Sequence, residues 1–252
     1  MPYTVLATSQ TPALIVYVLD VSGSMSSLMQ GRKRIEVVTD ALYAALQEMV
    51  FRSTKGGRVS PRYRVAMFAY SDAVHDLLGG IKSIDQVAQM GVPELQTMRL
   101  TDTALAFAEV ERLLVSELPH LSNCPAPLVC HITDGEYSGA DPEPYLRRIM
   151  SMSNLDGYVL VENIFISDDI LPQPITSPTD WPGISLETNL LGQYASKMRS
   201  FSSPLPASYR NVMAERGYAI SPEAVMMLPG NSPDLVEMAF AMSMSTPISS
   251  AQ

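Results

Sequence analysis

An apolar segment near the start of the chain constrains its fold more than any other feature. Ala13–Leu19 is purely apolar, and the longer stretch Ala13–Val21 is rich in β-branched residues, which is typical of a strand buried on both faces. It is followed by Lys33–Phe51, where apolar side chains recur at helical spacing. A buried strand that leads into a helix of this length predicts a parallel sheet with right-handed crossovers.

The same alternation of strand-like and helix-like segments continues along the chain. Further strands are predicted over Arg62–Ser71, Val74–Ile81 (a short edge strand), Pro127–Thr133, Tyr158–Ser167 and Ala224–Leu228. Further helices are predicted over Asp102–Leu118, Pro142–Ser151, Leu190–Phe201, Ala207–Gly217 and Ser232–Met242. We therefore predict an α/β fold, Rossmann-like and doubly wound. Its mainly parallel central sheet has one short antiparallel edge strand and helices on both faces.

The size and composition of the chain predict a single domain over residues 1–252. Its mass of 27.5 kDa and 46% hydrophobic residues provide enough apolar surface for one large core. We expect this core at about 13–168, a C-terminal strand and helices at 188–245, and a frayed tail at 246–252. The proline-rich stretch Leu171–Gly183 separates no second core, because similar elements follow it.

Charge and cysteine content exclude several classes of function. A net charge of −9 argues against a nucleic-acid partner, because phosphate binding needs clustered basic residues. The longest apolar run is far shorter than the roughly 20 residues of a membrane span, so we expect no membrane association. Two cysteines and three histidines show neither a disulfide framework nor zinc-ligand spacing. Met1–Gln10 has no basic residue, whereas a secretory signal begins with a positively charged segment. Together with the cysteine content, this leads us to expect a reduced, cytoplasmic protein.

Oxygen-bearing side chains follow the predicted strands at the edge where α/β sheets bind ligands. Asp20, Ser22 and Ser24 end the first strand, Thr101 precedes a helix, and Asp134 follows the strand Pro127–Thr133. Two carboxylates and three hydroxyls, without nitrogen or sulfur donors, suit a hard divalent cation such as Mg²⁺ or Mn²⁺. Because hydroxyls are weak ligands, the cation should retain a position for a carboxylate from another molecule.

At these residues the chain resembles von Willebrand factor A (vWA) domains of the intracellular prokaryotic type, which are related in fold to integrin I domains. The family's metal-ion-dependent adhesion site (MIDAS) has three parts: a D-x-S-x-S motif, a threonine in a second loop, and an aspartate in a T-D-G turn. Asp20, Ser22 and Ser24 match the first part, Thr101 the second and Asp134 the third. The second-loop motif departs from the family's frequent G-G-T, since Arg99 and Leu100 precede the threonine.

The resemblance implies how these residues act and with what. Ser22 and Ser24 would coordinate the metal directly, Thr101 directly or through water, and Asp20 and Asp134 often through water. Family members bind partners and generally do not catalyse, so we expect no enzyme activity. The partner would be a protein that supplies a carboxylate to the metal, within a bacterial system containing an AAA+ ATPase, a kinase or a phosphatase.

Two other functions are compatible with parts of this pattern. Mg²⁺-dependent phosphohydrolases place a nucleophilic aspartate at the same strand end, which makes Asp20 a candidate nucleophile. Those enzymes need a second carboxylate two residues later, and Ser22 stands there instead. The third possibility is a scaffold that binds no metal, against which the complete set of donors argues.

Several residues near the predicted site have alternative structural interpretations. Asp20 and Asp134 could be ordinary helix caps or turn formers. His131 could orient a water beside the metal or be a hydrogen-bonded core residue. Trp181 could contact a partner or pack its loop onto the domain, and Tyr137 could line the site. The segment Arg32-Lys33-Arg34 predicts a solvated helix start.

Overall fold

The computed structural model describes residues 3–98, 101–135, 139–167 and 170–248. Within these ranges seven strands form the central sheet: β1 (Ala13–Asp20), β2 (Tyr63–Tyr70), β3 (Val74–Asp76), β4 (Lys82–Ser83), β5 (Leu128–Thr133), β6 (Leu160–Phe165) and β7 (Met227–Pro229). Their order is β3–β2–β1–β5–β6–β7, and β4 pairs with β2 beside β3. The last strand in the chain, β7, thus belongs to the same sheet as β1.

The strands pair in parallel from β2 across to β7, whereas β3 and β4 run antiparallel to β2. This confirms the predicted mainly parallel α/β fold, with two short antiparallel edge strands instead of one. Asp20 pairs with Tyr70, and Leu19 pairs with Ile132. The carboxyl ends of the three central strands therefore lie level with one another.

Helices cover both faces of the sheet, as expected for a doubly wound fold. They are α1 (Arg34–Ser53), α2 (Ile84–Met90), α3 (Thr103–Glu117), α4 (Glu143–Ser151), α5 (Gln193–Ser200), α6 (Ala207–Glu215) and α7 (Pro233–Ser243). Short 3₁₀ turns cover Gly23–Ser26 and Leu118–His120. Small hairpins pair Leu28–Met29 with Arg32–Lys33, and Thr54–Lys55 with Arg58–Val59.

Side chains of β1 alternate between two cores, because successive residues of a strand point to opposite faces. Ile15 and Tyr17 pack in the core formed with α1, α2, α6 and α7. Val16 and Val18 pack in the core formed with α3 and α4. Both faces of β1 are consequently dry, which explains its unbroken apolar sequence.

The N-terminal segment is held by one buried carboxylate. Asp156, only 5% exposed, accepts hydrogen bonds from the backbone amides of Thr4, Val5 and Ala126 at 2.8, 3.0 and 3.1 Å. Ala126 leads into β5, so Asp156 connects the start of the chain to the amino-terminal edge of the sheet. This role is not apparent from the sequence, since the partners lie up to 152 residues away.

The tail predicted to be frayed from Thr246 is ordered at its beginning. The Thr246 hydroxyl lies 2.8 Å from the Tyr209 hydroxyl in the interior, and Ile248 forms a parallel bridge with Ala7. The prediction was wrong for these residues because their partners are distant in sequence. Residues 249–252 lie outside the described residues. Among the helices that the structure describes, none is long and apolar enough to cross a bilayer.

Candidate metal centre

The predicted ligands lie where the strand order of the sheet reverses. From β1 the chain passes to β2 on one side, and β5 later adds on the other side of β1. The loops after β1 and β5 therefore diverge and leave a crevice at their carboxyl ends, the usual ligand position in open α/β sheets. Asp20 is the last residue of β1, and Asp134 directly follows β5.

A continuous set of hydrogen bonds joins these two strand ends. The Ser22 and Ser24 hydroxyl oxygens lie 2.9 Å apart, and the Ser24 hydroxyl donates to Asp134 Oδ1 at 2.7 Å. Asp20 accepts from the Ser22 amide through Oδ1 at 2.8 Å and from the Thr133 hydroxyl through Oδ2 at 2.7 Å. The fold thus brings together four of the five predicted ligands.

The fifth predicted ligand, Thr101, lies in the segment that leads into α3. The amide of the next residue, Asp102, donates to the carbonyl of Ser71 at 2.6 Å. Ser71 directly follows β2, so this segment lies at the same edge of the sheet as the other candidates. The Asp102 carboxylate caps α3 by accepting from the Leu105 amide. Coordination by Thr101 stays a prediction, and Arg99 and Leu100 lie outside the described residues.

Both carboxylates of the site are removed from water, which disfavours their charged forms. Burial raises the pKa of Asp20, although hydrogen bonds from Thr133 and Ser22 oppose the rise. Burial also raises the pKa of Asp134, against the opposing effects of Ser24 and Arg34. Two buried carboxylates at one crevice favour a cation between them.

An arginine already contacts one of these carboxylates. Arg34 Nη1 lies 3.1 Å from Asp134 Oδ2, and their side chains are 16% and 1% exposed. The expectation that Arg32-Lys33-Arg34 is a solvated helix start was therefore wrong for Arg34. The contact could not be predicted because 100 residues separate the partners.

The donor set fits a small, hard divalent cation. Neighbouring oxygens around an octahedral Mg²⁺ with bonds of about 2.0–2.1 Å lie roughly 3 Å apart. The Ser22–Ser24 and Ser24–Asp134 oxygen distances of 2.9 and 2.7 Å are close to that spacing. Among the described residues, no three His, Cys, Asp or Glu side chains form a metal-binding group, so the candidate site depends on hydroxyl oxygens beside its two carboxylates. The arrangement offers hydroxyl and carboxylate oxygens, without nitrogen or sulfur donors.

A buried polar network lies directly beneath the crevice. His131 contacts the Tyr70 hydroxyl through Nε2 at 2.8 Å and Asn163 Oδ1 through Nδ1 at 2.9 Å. Because Asn163 Oδ1 can only accept, His131 carries its proton on Nδ1. Burial lowers the pKa of His131 to about 4, so the ring is neutral near pH 7. Its interpretation as a hydrogen-bonded core residue is confirmed.

Polar groups on both sides of His131 are also paired. Thr133, two residues along β5, donates its hydroxyl to Asp20 Oδ2 at 2.7 Å. On the other side, Asn163 Nδ2 donates to Phe201 O and Ser202 Oγ at 3.2 and 2.9 Å. Sequence reasoning missed Asn163, although one amide within an apolar strand is a signal of a buried hydrogen-bond network.

The proline-rich loop after β6 folds onto the domain. Trp181 is half-buried and packs against the core that contains Tyr17 and against a smaller apolar cluster that contains Phe165 and Ile184. This favours the structural interpretation of its side chain. The loop lines a cavity of about 430 Å³ together with Thr188 and Asn189. The other aromatic candidate, Tyr137, lies outside the described residues.

Comparisons with known proteins agree with this architecture. Residues 15–136, just under half of the chain, match the family model of the von Willebrand factor type A domain. A comparison with curated protein sequences finds no match. The matched range runs from within β1 to just past β5 and includes every predicted ligand.

Solved structures are similar to this chain at low sequence identity. A von Willebrand factor type A protein from Catenulispora acidiphila is 16% identical over 63% of this chain, with a TM-score of 0.47. The D319A mutant of the PilB minor pilin from Streptococcus sanguinis is 12% identical over 92%, with a TM-score of 0.52. Proximal thread matrix protein 1 from the mussel byssus, described with a zinc-occupied MIDAS motif, is 18% identical over 64%, with a TM-score of 0.44.

This chain spans 34%, 60% and 37% of those three chains. The pilin alignment extends over nearly all of the present chain, so the shared fold includes the strands and helices after residue 136. Over residues 15–136 the chain is therefore similar to the von Willebrand factor type A family.

Proposed function

We propose that this vWA domain is a non-catalytic protein-interaction module that binds Mg²⁺, or Mn²⁺, at a MIDAS. The metal would be held by Asp20, Ser22, Ser24, Thr101 and Asp134. The observation that carries the proposal is the hydrogen-bonded chain Ser22–Ser24–Asp134 at the reversal point of the sheet. A bound cation would supply positive charge to attract a carboxylate of a partner protein.

The surroundings of the site support direct coordination of the cation by the serine hydroxyls. Asp20 is 1% exposed, and its two oxygens accept hydrogen bonds from Ser22 and Thr133. It therefore stabilises the conformation of the loop after β1. Ser24 lies at the surface of the crevice and is bonded on both sides to other candidate ligands. Hydroxyl oxygens carry no charge, so they would leave the cation able to attract an outside anion.

Metal binding is the direct test of this proposal. We expect the double variant Ser22→Ala, Ser24→Ala to bind Mn²⁺ and Mg²⁺ at least about tenfold more weakly than wild type, because two oxygen ligands are lost. Isothermal titration calorimetry measures the change. These substitutions leave the Asp134–Arg34 pair in place, so the fold should be retained.

The matched control for the titration is Ser26→Ala. Ser26 belongs to the same 3₁₀ turn but donates its hydroxyl to Gly23 O at 2.6 Å. It should bind metal as wild type does. Equal metal affinity in the double variant and the control would refute the site assignment.

The alternative function is a Mg²⁺-dependent phosphohydrolase with Asp20 as nucleophile. Attack on a substrate phosphorus needs a free carboxylate oxygen. Asp20 is buried, and both of its oxygens accept hydrogen bonds, which opposes this role. We expect no hydrolysis of p-nitrophenyl phosphate above the uncatalysed rate, with or without Mg²⁺. Turnover that Asp20→Asn abolishes would overturn the binding-only proposal.

The partner and the cellular location belong to the same proposal. We infer a protein partner in a bacterial system with an AAA+ ATPase, a kinase or a phosphatase, and a cytoplasmic location. The location is supported by Cys124 and Cys130, which are both buried and free. Capture of the partner from native cells should require Mg²⁺ and fail with EDTA or with the Ser22→Ala, Ser24→Ala variant. Capture of the same amount of partner with and without EDTA would contradict a metal-bridged contact.

A further inference from the structure

The first residue of α1 points its charge into the candidate metal site. The backbone amide of Arg34 donates to Ser27 O at 2.9 Å, which fixes where the helix begins. Its guanidinium contacts Asp134 Oδ2 at 3.1 Å, while Oδ1 of the same carboxylate accepts from Ser24. One oxygen of Asp134 therefore faces the predicted metal ligands and the other faces an internal cation.

The position of Arg34 is not explained by the helix itself. A positive charge at a helix N-terminus is unfavourable, because the helix dipole places partial positive charge there. The nearby Arg32 instead pairs with Asp40 at 2.5 Å, and both side chains are well exposed at 46% and 69%. Arg34 is largely buried, and its partner Asp134 almost completely so. The pairing with Asp134 thus favours this placement of Arg34.

We propose that Arg34 sets the divalent-cation affinity of this site. Without metal, its guanidinium neutralises a carboxylate that would otherwise be buried as an unpaired charge. A divalent cation held by Ser24 and Asp134 would share Asp134 with this guanidinium, and the two positive charges would repel each other. Arg34 therefore stabilises the metal-free domain and weakens metal binding. This inference rests on the proposed metal site.

The charge of Arg34 can be removed while its polar shape is largely kept. We expect Arg34→Gln to bind Mn²⁺ and Mg²⁺ about tenfold more tightly than wild type, or better, because cation–cation repulsion is lost. In EDTA the same variant should unfold at a lower temperature than wild type, and saturating Mn²⁺ should remove that deficit. Calorimetric titration and thermal unfolding with and without metal measure both effects.

Two matched variants separate charge from other effects. Arg32→Gln removes a charge two residues away that pairs outside the site, and its metal affinity should stay within about twofold of wild type. Arg34→Lys keeps the charge and should retain weak binding. A purely structural role for Arg34 would lower stability without raising metal affinity. Tighter binding by Arg34→Lys as well would contradict the charge argument.

The outcomes distinguish this inference from the proposed function. Equal or weaker metal affinity in Arg34→Gln, with wild type binding normally, overturns the role of Arg34 and leaves the metal site intact. Binding by Arg34→Gln alone supports the role of Arg34 and contradicts a metal-bound wild type. Binding by neither protein overturns both. Should Arg34→Gln fold only when Mn²⁺ is present, the inference is supported. Failure to fold in either condition overturns it, since metal then does not replace the arginine.

Discussion

Replacing Asp156 by alanine is expected to lower the free energy of unfolding by about 3 kcal/mol. The substitution leaves the amides of Thr4, Val5 and Ala126 without their carboxylate acceptor. Each buried donor that loses its partner costs about 1–3 kcal/mol, and part of this is recovered where water reaches the N-terminal segment. Urea unfolding followed by circular dichroism measures the change.

The matched control is Asp76→Ala. Asp76 also accepts two backbone hydrogen bonds, from Leu78 at 3.1 Å and Gly80 at 2.6 Å, but it is exposed. Water can replace its carboxylate there, so we expect a loss of less than about 1 kcal/mol. A loss from Asp156→Ala no larger than that of the control would contradict the role assigned to the buried carboxylate.

The second large effect concerns a carboxyl group in the middle of β6. Glu162 is fully buried, and neither of its oxygens has a hydrogen-bond partner among the described residues apart from the weakly polar thiol of Cys130. Burial raises the pKa of Glu162 well above its ordinary value. The side chain is therefore protonated under conditions in which an exposed glutamate is charged.

Glu162 should make the protein less stable as the pH rises. Because its folded pKa is raised, the stability linked to this group is fully present below the unfolded value of about 4.3 and is lost as the pH rises through the folded value. Glu162→Gln removes the titration. We expect this variant to match wild type near pH 4 and to exceed it by roughly 2 kcal/mol at pH 8, where the wild type must bury a charge or hold a proton.

Chemical unfolding at several pH values tests this expectation. Glu187→Gln, an exposed position, is the control and should show the pH dependence of wild type. The free energies of unfolding of Glu162→Gln and wild type could instead change in parallel between pH 4 and pH 8. The pKa of Glu162 would then be the same in the folded and unfolded states, and the prediction would be wrong.

The main elements of the fold were predictable because each has a local cause. The dry faces of β1 require an apolar run, and the amphipathic stripe of α1 is visible in the sequence at helical spacing. Helix α2 was missed because it is short. Its capping box, formed by Ser83 and Gln86, is a recognisable sequence signal for a helix start.

The site was predictable only as far as strand ends determine it. Asp20 and Asp134 end neighbouring parallel strands, and this topology brings them together whatever the connecting chain does. Arg34 and Asn163 depend on contacts between distant segments, which local spacing does not encode. The polarity of both residues is visible in the sequence, but their partners are known only once the sheet order is fixed.

The bridge between Ala7 and Ile248 has a practical consequence for testing the proposed contact with a partner. Both residues lie near the edge where Asp156 holds the N-terminal segment, and β1 separates that edge from the crevice by eight residues, or roughly 25 Å. Anchoring the protein to a sensor chip or a bead through either end should therefore leave the crevice proposed to bind a cation facing the solution and accessible to whatever is flowed over it.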